Sequence, residues 1–127
     1  MARLVVDSWA WVEYLSGTEK GLKLKGLIED GSKLFTSIIS LAEVVSAARR
    51  MEMSVTEVKE SITSNSDVVN VDQDLSAEAG LLHNDMKKKV RDFGLGDAFV
   101  VVTARRLNIK ILTGDPHFKH IKEAVMI

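Results

Sequence analysis

Apolar runs of strand length that alternate with amphipathic helical stretches predict an α/β fold, a three-layer α/β/α domain on a central, mainly parallel sheet of four or five strands. Three observations carry that expectation. Short runs rich in Val, Ile, Leu and Phe recur along the chain, helical periodicity fills the gaps between them, and no repeat, spacer or low-complexity tract divides residues 1–127. Parallel neighbours need crossovers, and right-handed crossovers put helices on both faces and leave the strands inside.

Arg3 to Asp7 is the first predicted strand, and Ser8 to Leu15 has helical spacing until Ser16-Gly17 breaks it. A second helix is expected from Glu19 to Glu29, ended by Gly31, and KLFTS at 33–37 is the next strand. In SLAEVVSAARRM, Leu41, Val44, Val45 and Ala48 share one face, and Ser40 with Glu43 has the spacing of a capping box. Ser54 with Glu57 opens a further helix in the same way. DVVNV at 67–71 is a third strand, and a helix from Ser76 to Arg91 turns Lys87, Lys88 and Lys89 to water. The run DAFVVVTARRL is β-branched enough for a strand, yet its length to Leu107 favours a buried helix. KILTGD at 110–115 is the fourth strand, and EAVMI is a candidate fifth.

Composition narrows the chemistry. With 46% apolar residues the chain can build its own core, and with no cysteine it has no disulfide, thiolate nucleophile or cysteine-bound zinc. A reducing cytoplasm fits that composition. A net charge of −1 supplies no general attraction for nucleic acid, so any such contact must come from a local basic patch. No apolar run approaches the ~20 residues needed to cross a bilayer, and no secretory leader pattern opens the sequence, so no membrane partner is expected.

Carboxylates remain. Asp7 ends the first strand, Asp115 follows the fourth, and Glu43 and Asp97 are expected where helices open. In a parallel sheet the strand C-termini and the N-termini of the following helices share one edge, which draws all four acids toward one rim. Each acid alone is explained as a cap or as a good partner for a helix dipole. Together they are expensive, because two such charges ~4 Å apart repel by roughly 4 kcal/mol at an effective dielectric of about 20. A divalent cation turns that repulsion into ligation, and an all-oxygen set favours Mg²⁺ or Mn²⁺.

Three segments, LVVDSWAWVEYL, SIISLAEVV and GLGDAFVVVTARRLNIKILTGDPHF, together resemble the PIN domain family of ribonucleases, and within it the small toxins of VapBC toxin–antitoxin pairs. The resemblance spans essentially the whole chain. It implies a PIN-like domain with metal-dependent endoribonuclease activity, with Asp7, Glu43, Asp97 and Asp115 as metal-binding and catalytic acids. Ser8 and Thr113 would be hydroxyl residues close to them. It also implies a homodimer and a cognate antitoxin. A noncatalytic PIN-fold RNA-binding or assembly module, or a nuclease acting on structured DNA, is the alternative.

RNA contact is expected to be dominated by the phosphate backbone, with Arg49, Arg50, Lys87, Arg91, Arg105 and Arg106 as candidates. The same lysines and arginines are equally explained as wet helix faces. Asp92 reads as a solvated loop residue; His117 and His120, three apart beside Asp115, could bind a metal from one helical face, but a zinc site wants further ligands and they read rather as surface groups on a short turn. Trp9, Trp11 and Tyr14 could stack on bases or anchor a subunit contact, and core packing is expected for at least one of them. A receiver-like domain needs an acidic pair after the first strand, and an aspartyl phosphohydrolase needs a second Asp at position 9, which is Trp here.

Overall fold

The computed structural model describes residues 1–127. Its strands are β1 (Arg3–Val6), β2 (Lys33–Ser37), β3 (Asp67–Val69), β4 (Lys110–Thr113) and β5 (Ala124–Met126). Its helices are α1 (Ser8–Leu15), α2 (Leu22–Glu29), α3 (Ile38–Arg50), α4 (Val55–Asn65), α5 (Gln73–Lys87) and α6 (Leu95–Leu107), with a 3-10 turn at Pro116–Phe118. The five strands form one sheet in the order β3-β2-β1-β4-β5, and every neighbouring pair is parallel.

Strand alternation divides the core in two. Leu4 and Val6 of β1, Leu34 of β2 and Leu112 of β4 face a cluster built with Trp11, Leu24, Val44, Val58 and Ile62 from α1 to α4. Val5, Phe35 and Ile111, each one residue out of phase, face Leu75, Ala79 and Val101 from α5 and α6. A period of two on buried strands therefore makes three layers, with α1 to α4 on one face and α5 and α6 on the other. Helix α6 is buried from Ala98 to Ala104, which explains how a Val-rich run remains helical: packing on every side outweighs the small propensity cost of β-branching.

Several boundaries differ from expectation for local reasons. The capping box expected at Ser40 and Glu43 does not form. Ser37, still extended at the end of β2, caps α3 instead by accepting the Ile39 N–H at 3.2 Å. Ser40 thereby falls inside the helix, fully buried with its hydroxyl unpartnered, and Glu43 lies beyond the first turn. Residues 19–21 form a turn, so α2 begins at Leu22. Helix α5 begins at Gln73 because Asp72 accepts the Leu75 N–H at 2.7 Å. It ends at Lys87, where the chain turns to carry Phe93 into the core.

The strand order fixes where a site can lie. From β1 the chain moves outward through β2 to β3, then returns to the other side of β1 for β4 and β5. The C-terminal ends of β1 and β4 thus flank the crevice where the winding reverses, the place at which open α/β sheets bind ligands. Asp7 directly follows β1, and Asp115 lies just after β4.

Candidate active site

Asp7 is 3% exposed and caps α1, its Oδ1 accepting the Ala10 N–H at 2.9 Å. Its other oxygen accepts the Thr113 hydroxyl at 2.5 Å, and Thr113 Oγ1 in turn accepts the Asp115 N–H at 3.0 Å. One buried hydroxyl therefore ties the ends of β1 and β4 together. Asp115 Oδ1 accepts the His117 N–H at 2.9 Å and starts the 3-10 turn. Asp97, in the first turn of α6, accepts the Gly94 N–H at 2.7 Å. Three of the acids are thus held in defined rotamers by backbone donors at the starts of helical segments.

Glu43 reaches the same place from α3. A Cβ on Gly96 would overlap the Glu43 carboxylate, so a side chain as small as alanine there would displace the acid. The electrostatics show the same convergence. Burial pushes the Asp7 carboxyl up to about 7 against its hydrogen bonds from Thr113 and Ala10, with Asp115 and Asp97 adding to the rise. Glu43 is raised by desolvation and then by Asp97, with Ser8 opposing. Asp97 is also raised, first by desolvation, against its Gly94 hydrogen bond, with Asp115 adding to the rise. No lysine or arginine forms an ion pair with any of the four.

Such uncompensated carboxylates suit a divalent cation, and the donors are hard oxygens with one addition. His117 places Nδ1 3.3 Å from Asp115 Oδ1 and 3.6 Å from Asp97 Oδ2. Donor atoms of Asp97, Asp115 and His117 all lie within 4.8 Å of one another. His117 is half-buried on its short turn beside these two carboxylates, while His120 is exposed and outside the cluster, so the two histidines do not share one set of ligands. The relevant signal in the sequence was the Asp-Pro-His spacing: Asp115 caps the very turn that brings His117 back to it.

A groove of about 430 Å³ leads away between α1 and α3, lined by Ser8, Trp9, Glu43, Ala47, Arg50 and Asp115 among others. Trp9 borders it, with Gly114 so close behind that a Cβ there would enter the ring, and Lys20 Nζ lies 5.4 Å over the aromatic face. Trp11 is instead buried, its indole N–H donating to Thr36 Oγ1 at 3.0 Å, and Tyr14 packs edge-on against it.

Of the basic candidates, Arg50 lines the groove and Arg49 is exposed beside it at the end of α3. Lys87 and Arg91 are exposed near the segment that enters α6, at the Asp97 end of that helix. Arg105 and Arg106 lie at the other end of α6, about 12 Å along its axis from Asp97. There Arg105 pairs with Glu123, and Arg106 with Asp72 and Glu78, so the structure does not bring these two to the acidic rim. Asp92 is exposed, as expected.

Comparison with protein families gives a match to the PIN domain over residues 4–124. The chain belongs to the PIN domain family. Among solved structures, this PIN domain is similar to VapC20 of Mycobacterium tuberculosis, described as a sarcin-ricin loop cleaving toxin. The TM-score is 0.79 at 18% identity, with 98% of each chain covered. A toxin–antitoxin complex from Klebsiella pneumoniae gives 0.77 at 20% identity, covering 97% of this chain and 96% of that one. DNA-bound VapBC from Salmonella typhimurium gives 0.70 at 18% identity, covering 100% and 98%. At these identities the likeness is one of fold, and no curated protein matches the chain by sequence.

Proposed function

We propose that this PIN domain is a divalent-metal-dependent endoribonuclease and the toxin of a toxin–antitoxin pair. The observation that carries the proposal is the gathering of Asp7, Glu43, Asp97 and Asp115, without any lysine or arginine partner, at the switch point of the sheet. Membership of the PIN family and the shared fold with VapC toxins support the same reading.

When bound, Mg²⁺ or Mn²⁺ supplies the positive charge that acidifies water and neutralises the phosphate during hydrolysis. Asp97 and Asp115, with their rotamers fixed by Gly94 and by the His117 amide, would hold the cation. Asp7, oriented by Thr113, would add its negative charge to the same site. Glu43 completes the set from α3, facing the groove through which a strand of RNA would approach. Arg50, with Arg49, Lys87 and Arg91 further out, contacts phosphates, and Trp9 offers a ring to a base.

The antitoxin would cover this groove, and the toxin would act in the cytoplasm as a homodimer. Labelled RNA and DNA incubated with the protein in EDTA, Mg²⁺ or Mn²⁺ test the reading. RNA cleavage that requires metal and disappears in Asp97→Asn is expected. Metal-independent cleavage, or full activity in Asp97→Asn, would overturn it.

A further inference from the structure

The acids account for the proposed chemistry without His117, yet its Nδ1 faces two of them at once, Asp115 at 3.3 Å and Asp97 at 3.6 Å. We propose that the His117 imidazole is itself a ligand of the divalent cation, joining Asp97 and Asp115, and that it biases the site toward transition ions such as Mn²⁺ over Mg²⁺. This rests on the metal dependence proposed above and specifies which ion the site prefers.

The spacing is the first argument. Neighbouring ligands on an octahedral ion with bonds of about 2.1 Å lie about 3.0 Å apart, and opposite ones about 4.2 Å. His117 Nδ1 lies 3.3 and 3.6 Å from its two carboxylates, and the three donor atoms fall within 4.8 Å. Small rotations of three side chains would bring all of them onto one ion.

The second argument is how the imidazole is held. Asp115 accepts the His117 N–H at 2.9 Å, which fixes the backbone on one side. Phe118, fully buried, anchors the other side, its ring 6.0 Å from that of Phe93. Phe93 immediately precedes Gly94, whose N–H fixes Asp97. One aromatic pair therefore sets the turn carrying His117 against the helix start carrying Asp97, and ligands held by packing in this way are pre-organised for an ion.

The chemical consequence follows from donor type. Magnesium favours an all-oxygen octahedron and gains little from nitrogen, whereas first-row transition ions bind imidazole well. Replacing one oxygen donor by Nδ1 therefore raises affinity for the second class relative to the first.

Calorimetric titration of metal-free protein with Mn²⁺ and with Mg²⁺, in wild type, His117→Ala and Asp97→Asn, tests the inference. It is paired with NMR of nitrogen-labelled wild-type protein loaded with an NMR-active cadmium isotope. Direct scalar coupling between cadmium and His117 Nδ1 is expected, and His117→Ala should lose about tenfold or more in Mn²⁺ affinity while Mg²⁺ affinity changes much less. If wild type binds metal and Asp97→Asn does not, but coupling is absent and His117→Ala keeps its Mn²⁺ to Mg²⁺ preference, the ligand role is overturned while the nuclease reading survives. Absence of metal binding in wild type would overturn both. The coupling is read on unaltered protein, so poor folding of a variant does not shield the inference.

Discussion

Asp7→Asn should make the metal-free protein more stable at mildly alkaline pH while abolishing cleavage. In the folded chain the Asp7 carboxyl is pushed from its ordinary 3.8 up to about 7, chiefly by burial. At about 1.4 kcal/mol per tenfold change in proton affinity, folding with an ionised Asp7 costs about 4 kcal/mol more than folding with a neutral one. Because the folded state holds the proton more tightly, unfolding releases it between these two values. Stability is therefore greatest below pH 3.8, falls as pH rises toward about 7, and is level above that. Between ~pH 5 and ~pH 8 in EDTA, wild type should lose about 3 kcal/mol in urea unfolding from this group alone. Asparagine keeps an acceptor for Ala10 but cannot also accept from Thr113, at a cost of about 1 kcal/mol. The variant should then be the more stable protein by about 3 kcal/mol at ~pH 8, with a flatter profile. Glu43 and Asp97 keep a smaller slope of the same sign. Parallel pH profiles for the two proteins would refute the reasoning.

The same proton competition makes metal binding pH-dependent. Saturating Mn²⁺ should raise the wild-type Tm, and by more at ~pH 8 than at ~pH 6, because less carboxyl protonation has to be reversed. Gly96→Ala should keep or slightly raise stability in EDTA, since alanine favours helix by about 1 kcal/mol. It should nevertheless weaken metal binding and cleavage by displacing Glu43, which calorimetry and an RNA assay would register. Thr113→Val removes the hydroxyl shared by Asp7 and the Asp115 amide. It should cost about 1–3 kcal/mol in chemical denaturation and reduce cleavage, because two buried polar groups lose their partner.

Much of this was readable in residue order because local rules coincide with the global fold. Unbroken apolar runs in LVV, LF and IL mark strands buried on both faces, and Asp7, Asp97 and Asp115 stand where helical segments begin, so capping and the proposed site share the same residues. Glu43 lies beside the other acids although it does not open its helix as the capping-box spacing predicts. Its placement depends on Ser37 capping α3 and on the missing side chain of Gly96, a contact between residues more than fifty positions apart. His117 is legible as a metal candidate beside Asp115, but its pairing with His120 is not met, because the turn begun by Asp115 and the burial of Phe118 set His117 against Asp97 instead. The basic residues were least legible: Arg50 and Arg105 look alike in sequence, and only the direction in which α3 and α6 run separates a groove-lining residue from one paired with Glu123.

The central position of β1, with β2 on one side and β4 on the other, has a bearing on how the protein is made. During translation Asp7 emerges early, but its Thr113 partner and the Asp115 carboxylate do not exist until the ribosome has passed residue 115. A nascent chain bearing only the first three strands lacks Asp97, Thr113 and Asp115 and cannot assemble the proposed site. The carboxylate cluster is therefore completed only when the fourth strand slots in beside the first.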